Sequence, residues 1–171
     1  TSDVPARLTA PASGLFLVQF SGPLEPTRRT ELRKAGVELV KYVPDDAFIA
    51  RFNHVPPGKV RALSFVRWVG PYRPDHKVHP RLAAAARATP QTNQVIEVTV
   101  LLSPRATPAE IAQARALFSA IAHESHMRQG TFLRGGLPPA SLDALAQSHS
   151  VLWIERAPRR KLLDETASKL V

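Results

Sequence analysis

Residues 65–69, Phe-Val-Arg-Trp-Val, and residues 150–154, Ser-Val-Leu-Trp-Ile, are two short apolar segments, each containing one of the chain's two tryptophans. Both have the composition of a β-strand, because aromatic and β-branched side chains fit a pleated surface. Trp68 and Trp153 are 85 positions apart. An offset of this size between such unusual segments suggests that the chain contains a duplicated unit.

Matches upstream of the tryptophans support the duplication. They keep the same order along the chain, with offsets of 81 or 82 against 85 at the tryptophans: Leu15–Phe20 with Ile96–Leu101, Pro26 with Pro108, and Pro56-Pro57 with Pro138-Pro139. The repeated unit is about 65 residues long, a size compatible with a small domain.

Each copy predicts the element order β-α-β-β-α-β. In the first copy the expected elements are strand Leu15–Phe20, helix Pro26–Ala35, strands Val37–Val43 and Ala47–Phe52, helix Pro57–Leu63 and strand Phe65–Val69. In the second copy they are strand Val95–Leu102, a helix from Thr107 to about Ala120, strands Ile121–Met127 and Thr131–Arg134, helix Pro139–Gln147 and strand Val151–Glu155. This order indicates an α+β fold of two tandem ferredoxin-like modules with antiparallel sheets.

Proline and small polar residues mark the expected boundaries. We expect a flexible leader at 1–14, a first module at 15–73, a linker at 74–94, a second module at 95–156 and a C-terminal tail at 157–171. The linker contains four consecutive alanines, Ala83–Ala86, and alanine favours helices. We therefore expect the linker to be partly helical around Leu82–Arg87.

The composition excludes several classes of function. The net charge is +9, but the basic residues are spread over both halves of the chain, which argues against a basic tail or a lysine-rich nucleic-acid arm. Without cysteine the chain has no disulfide, thiolate zinc site or Cys nucleophile. No apolar run approaches the ~18–20 residues of a membrane span, so no membrane partner is expected.

Nothing in the sequence predicts an enzyme. His123 and His126 are three residues apart on an expected strand, where their side chains face opposite ways, so we expect no metal site. The carboxylates are scattered, and Gly135-Gly136 is followed by Leu-Pro-Pro rather than by a phosphate-loop lysine. The expectation is a protein without catalytic residues and without a cofactor.

Four segments resemble the propeptide region of bacterial subtilisin-like serine proteases. They are FVRWVGPYRPDHKVHP at 65–80, GLFLVQFSGPL at 14–24, YVPDDAFIARF at 42–52, and APRRKLLDETASKLV at 157–171, which is similar to the stretch that joins such propeptides to their catalytic domains. The resemblance covers about residues 15–171, and the catalytic domain of the family is missing. It therefore implies an inhibitor and intramolecular folding chaperone of a protease zymogen, secreted or periplasmic, and not a protease.

The resemblance also implies how such a chain binds its protease. The exposed face of the sheet lies on two surface helices of the catalytic domain, and the C-terminal tail enters the substrate cleft as an added strand. The expected tail contacts are the small and medium side chains Ser168, Lys169, Leu170 and Val171, with Leu162 and Leu163 as the alternative anchor.

Two features of the modules each allow two interpretations. Asp45-Asp46 is good turn chemistry after Pro44, and it also suits capping of the positive N-termini of the enzyme's helices. The corresponding turn of the second copy, Arg128-Gln129-Gly130, has no acidic residue. Trp68 and Trp153 are expected to pack in the module cores, with an interface role as the alternative.

Two functions of other classes compete with the propeptide hypothesis. The RNA-recognition motif has the same fold, and a basic chain favours nucleic acid, but Ala47–Phe52 lacks the glycines and stacking aromatics of that motif and the second copy offers only Phe132. No specific nucleic-acid binding is therefore expected. A freestanding protease inhibitor or protein-interaction adaptor uses the same surface chemistry and stays open.

Overall fold

The computed structural model describes residues 8–88 and 94–158, which form two four-stranded antiparallel sheets. The strands are β1 Ala12–Phe20, β2 Val37–Val43, β3 Ala47–Val55, β4 Val66–Pro71, β5 Ile96–Leu102, β6 Ala120–Met127, β7 Gly130–Leu137 and β8 Val151–Arg156. The sheet orders are β2-β3-β1-β4 and β6-β7-β5-β8. The same order in both sheets confirms the predicted pair of ferredoxin-like modules.

Two helices cover one face of each sheet. In the first module they are α1 Pro26–Lys34 and α2 Pro57–Arg61. The segment between the sheets forms α3 Pro74–Lys77 and α4 Pro80–Ala88. In the second module they are α5 Pro108–Ala116 and α6 Leu142–Gln147, the last preceded by a 3₁₀ turn at Pro139–Ser141. Beneath α1 and α2 lies a core that includes Val18, Leu32 and Phe52. Beneath α5 and α6 lies a second core around Val100 and Leu145.

Local chemistry explains where the elements begin and end. Gly36 follows α1 with φ 90°, a left-handed conformation that glycine adopts without steric cost, so the chain reverses there into β2. At the start of α5 the Thr107 hydroxyl accepts the Glu110 amide at 3.2 Å, while the Glu110 carboxylate accepts the Thr107 amide at 2.7 Å. This capping box is the one that the sequence predicts.

Part of the expected leader and most of the expected linker belong to the modules. Ala12 and Gly14 pair with Val55 and Phe52, so β1 begins inside the leader, and residues 1–7 lie outside the described part. The linker forms α3 and α4, and Leu82 is fully buried in the core of the second module. Burying this leucine removes apolar surface from water, which is why the segment folds onto the module instead of running free.

The two sheets pack face to face. Leu15 and Ile49 of the first module contact Leu101 and Leu152 of the second in one buried cluster. These four side chains point away from their own helices, because residues on one strand alternate between the two faces of a sheet and Leu152 stands at a bulge. The molecule therefore has a third core between the sheets, built from the faces that the helices leave open.

Candidate functional site

We call the face of each sheet that is turned away from its helices the open face, because it is the surface that the propeptide hypothesis assigns to the protease. Most of it is already occupied. The hydroxyl of Tyr72 donates a 2.8 Å hydrogen bond to the carbonyl of Leu152, and burial raises the pKa of Tyr72 to about 12. At the rim, Arg105 pairs with Glu38 at 2.9 Å. The expected sheet-face docking thus has only the uncovered part of these faces available.

The stacking is offset, so the two modules do not use equivalent residues. By strand register, the second-module residues Leu101, Leu152 and Trp153 correspond to Gln19, Arg67 and Trp68 of the first. The second-module residues lie in the inter-sheet cluster, whereas their first-module counterparts are not part of it. Such a heterologous contact uses a different surface of each module. On each module, the surface equivalent to the one that its neighbour uses therefore stays uncovered.

On the first module, the uncovered end of the open face carries Trp68. Its side chain is 44% exposed, and its ring lies over Gly70, where an added Cβ would come within 2.2 Å of it. Gln19 is the cross-strand neighbour of Trp68, and its amide donates to the carbonyl of Asp45 at 3.1 Å. We name the contiguous surface of Gln19, Asp45, Asp46 and Trp68 the Trp68 patch.

The acidic turn of this patch is a strained hairpin. Asp45 and Asp46 have φ values of 65° and 53°, in the left-handed region that aspartate tolerates better than most residues. The amide of Phe20 donates to the carbonyl of Asp46 at 2.9 Å, which fixes the turn to β1. Within the described part of the chain, neither carboxylate accepts a hydrogen bond or joins an ion pair, so both remain available to an external donor.

Trp153 has a different environment from Trp68, which corrects the expectation that both pack in cores. The ring of Trp153 is half-buried in the inter-sheet cluster, His79 lies edge-on to it at 6.0 Å, and its Nε1 donates to Glu155 at 3.1 Å. The physical reason is the offset stacking, which covers one tryptophan and exposes the other. Trp68 is therefore exposed and not part of a core, and the interface interpretation stays open for this residue.

The segment that follows β4 adds to the outer edge of the second sheet. Val78 forms a parallel bridge with Ile154, and the amide of His79 donates to the Ile154 carbonyl at 2.9 Å. Just before them, Lys77 is 2% exposed and donates to the carbonyl of Ser148 at 2.7 Å, at the C-terminal end of α6. Burial lowers the pKa of Lys77 to about 8. A segment leaving one module thus closes a strand edge of the next.

The chain leaves the second module close to the open face. The amide of Ala157 still pairs with the carbonyl of Glu97 at 2.9 Å, and Arg134 donates to the carbonyl of Pro158 at 2.7 Å. Arg134 lies on β7, two strands from β8, so it holds the start of the tail toward the sheet. The expected contact residues Leu162, Leu163, Ser168, Lys169, Leu170 and Val171 lie outside the described residues.

A polar network lines the exposed edge strand β6. Arg115 of α5 forms two hydrogen bonds with Glu124, which lowers the pKa of that carboxyl. Glu124 also lies 3.1 Å from His126, whose other ring nitrogen is 2.9 Å from the Thr131 hydroxyl. His123 is not part of this network, as expected from its opposite orientation. Among residues 8–88 and 94–158, no three His, Asp or Glu side chains are grouped to hold a metal.

The sequence contains a signal for the inter-sheet core. Leu15-Phe16-Leu17-Val18 is a continuous apolar run, and Leu101 lies in another. Continuous runs, in place of alternation, are typical of strands covered on both faces. Tyr72, Lys77 and Leu152 were missed for another reason, since their roles depend on contacts between the modules.

A family model described as "Domain of unknown function (DUF8729)" matches residues 2–73, which are the first module and the residues that precede it. No curated protein and no solved structure matches the chain significantly. Among the helices of the described ranges, none is long and apolar enough to cross a membrane.

Proposed function

We propose that this chain is a propeptide-type inhibitor and folding chaperone of a subtilisin-like serine protease, secreted or periplasmic, and not itself an enzyme. The observation that carries the proposal is the strand addition after β4, where Val78 and His79 extend from the first module and pair with Ile154. We propose that the tail after β8 pairs in the same way with a strand edge of the protease. In a subtilisin-like enzyme, that edge is in the substrate cleft.

A repeated pattern selects the anchor within the tail. The segment after β4 contains Pro74-x-x-Lys77-Val78, and the segment after β8 contains Pro158-x-x-Lys161-Leu162. Val78 is the residue that forms the bridge, so Leu162 is its counterpart. This correspondence favours Leu162-Leu163 over Ser168–Val171 as the part of the tail that pairs with the enzyme.

The Trp68 patch supplies a second contact of suitable chemistry. An exposed aromatic side chain is a common anchor of protein interfaces, and the two carboxylates beside it suit the positive N-termini of helices. Thirteen residues follow Pro158, and a fully extended segment of that length spans about 45 Å. We expect one catalytic domain to contact both the patch and the tail.

Inhibition constants against a subtilisin-like protease encoded next to this chain test the proposal. We expect truncation after Pro158 to weaken inhibition by about 100-fold or more, because several main-chain hydrogen bonds to the enzyme are lost. The melting temperature should stay constant, because the bonds of Ala157 and Pro158 to the module are kept. Leu162→Asp with Leu163→Asp should reproduce most of that loss, and the matched pair Ser168→Asp with Leu170→Asp should not. Equal inhibition by the full chain and the truncated form contradicts tail binding.

The adaptor hypothesis has one specific observation in its favour. The two open faces cover each other, so the pair of modules does not need a protease surface to complete its core. The faces of the central strands, on which an RNA-recognition motif stacks bases, are covered by the same contact. A folded chain that leaves the protease fully active at micromolar concentration would favour the adaptor over the inhibitor.

A further inference from the structure

Two equivalent arginines have different surroundings in the two modules. Arg33 is the eighth residue of α1, and Arg115 is the eighth residue of α5. Arg115 forms two hydrogen bonds with the Glu124 carboxylate on the edge strand β6. By strand register, the residue of β2 that corresponds to Glu124 is Tyr42, which has no carboxylate. Within residues 8–88 and 94–158, no acidic side chain pairs with Arg33, so the first module lacks the carboxylate that the second supplies internally.

The guanidinium of Arg33 lies in a positively charged groove. The groove has a volume of about 490 Å³, within the ~300–1,000 Å³ range of ligand sites, and its walls include Arg29, Arg33 and Arg105. Arg29 lies one helical turn before Arg33, and two like charges at this spacing repel each other. Among the described residues, Glu38 is the one acidic side chain of these walls, and it pairs with Arg105 at 2.9 Å. The excess positive charge therefore attracts an anionic ligand.

One wall of the groove is the outer edge of β2. Residues 36–39 line it, and β2 has β3 on one side and, in the described part of the chain, no strand on the other. The amide of Asn53 donates to the carbonyl of Gly36 at 3.1 Å. Because the backbone groups of an antiparallel strand alternate in direction, those of Val37 and Leu39 point away from β3. Leu39 is the less buried of the two, so its N–H and C=O are available to pair with another strand.

We infer that this groove binds an extended acidic peptide segment of a partner protein, which pairs with Leu39 as an added strand and places a carboxylate against Arg33. Strand addition supplies main-chain hydrogen bonds, and the alternation of side chains puts every second residue of the peptide on the side of α1. An acidic residue there forms with Arg33 the paired hydrogen bonds that Glu124 forms with Arg115. The second module makes this contact within one chain, and the first module makes it with a partner.

Isothermal titration calorimetry with a synthetic peptide tests this inference. The probe is a peptide of alternating Thr and Glu, about seven residues long with blocked ends, and the matched control peptide has Gln in place of each Glu. We expect the control peptide to bind at least about tenfold more weakly, and binding of the probe to weaken as the salt concentration rises. Arg33→Ala should reduce the affinity for the probe by about tenfold or more, because the charge-assisted pair is lost. Arg61→Ala removes an exposed arginine of α2 and should leave the affinity unchanged.

Two further measurements separate strand addition from simple charge attraction. Tyr42→Glu places in the first module the carboxylate that pairs with Arg115 in the second, so it should occupy Arg33 and weaken binding of the probe by about tenfold. N-methylation of alternate residues of the probe, in one of its two registers, should abolish binding because it removes the amides that pair with β2. Equal affinity of the wild type and Arg33→Ala, no binding of the probe at millimolar concentration, or unchanged affinity of both N-methylated peptides would overturn the inference. None of these readouts involves a protease, so the result is independent of the proposed function.

Discussion

The hydroxyl of Tyr72 and the carbonyl of Leu152 join the two modules by a 2.8 Å hydrogen bond between residues 80 positions apart. Leu152 is fully buried and stands at a bulge of β8, which breaks the register between Leu101 and Leu102. A bulged residue has a carbonyl outside the regular ladder, and such a group is costly to bury without a donor. Tyr72 supplies that donor from the end of the first module.

Removal of this donor should destabilise the contact between the modules. Tyr72→Phe keeps the ring in the inter-sheet cluster but leaves the Leu152 carbonyl without its partner, so we expect a loss of about 1–3 kcal/mol in the free energy of unfolding. Urea denaturation followed by circular dichroism measures it. Tyr42→Phe, on an exposed edge strand, is the matched control and should change stability by less than about 0.5 kcal/mol.

The offset stacking predicts opposite responses at two equivalent positions. Leu152→Arg places in the second module the residue that the first has at Arg67, and it buries a charge in the inter-sheet core. We expect a loss of about 3–5 kcal/mol and separation of the modules, seen as an increased radius of gyration by X-ray scattering. Arg67→Leu changes an exposed residue and should alter stability by about 0.5 kcal/mol or less. Similar losses at both positions would contradict the offset arrangement.

Element order was predictable because its signals are local. Pro26, Gly36 and the Thr107 capping box mark helix ends by their own backbone chemistry, and the structure places the helix ends within a few residues of those marks. The first residues of β1 were missed, since Ala-Ser-Gly at 12–14 resembles a loop in composition and becomes a strand only by pairing with Val55 and Phe52. Tertiary pairing overrode local propensity there.

The relation between the modules was not predictable from the duplication. Two copies of one motif suggest equivalent environments for Trp68 and Trp153, but two sheets can stack with any offset that buries apolar area. Leu152 in the second copy and Arg67 in the first decide the outcome, because a leucine can enter the inter-sheet core and an arginine cannot do so without a partner. The exposure of the Trp68 patch thus goes with two polar residues of the first copy, Gln19 and Arg67, where the second copy has Leu101 and Leu152.

Gly70 sets the orientation of the Trp68 ring. A Cβ at this position would lie 2.2 Å from Cη2 of Trp68, so Gly70→Ala must displace the ring. Because the ring is 44% exposed, it can move into solvent, and we expect a stability loss of only about 1 kcal/mol. In a Trp153→Phe background, the fluorescence of Trp68 should shift to longer wavelength and iodide should quench it more strongly. Unchanged quenching would show that the ring does not depend on Gly70.

The docking role of this surface gives a further prediction, which rests on the proposed function. Trp68→Ala should weaken protease inhibition by about tenfold or more, since exposed aromatic anchors often contribute over 1 kcal/mol to binding. The double variant Asp45→Asn with Asp46→Asn keeps the turn chemistry and removes both charges. Its effect on the inhibition constant therefore measures what helix capping by the two carboxylates contributes to binding. Tyr42→Ala, also an exposed aromatic but on the opposite edge strand, is the control. A loss at Tyr42 equal to that at Trp68 would place docking elsewhere.

The buried ammonium of Lys77 makes stability depend on pH in the alkaline range. Burial lowers its pKa from 10.5 to about 8, so between pH 8 and pH 10 the unfolded chain binds more protons at this site than the folded one. Stability should therefore rise with pH across that window, by roughly 2 kcal/mol, and level off below pH 8, where both states are protonated. Above pH 10 the raised pKa of Tyr72 acts in the opposite direction, which sets the upper limit of the measurement. Urea denaturation at pH 7, 8, 9 and 10 should show the full rise in the wild type and in Lys59→Met, whose lysine is exposed. The rise should be much smaller in Lys77→Met, where only the pKa of Lys41, also lowered by burial, still acts in this direction. A rise of full size in Lys77→Met would assign the pH dependence to another group.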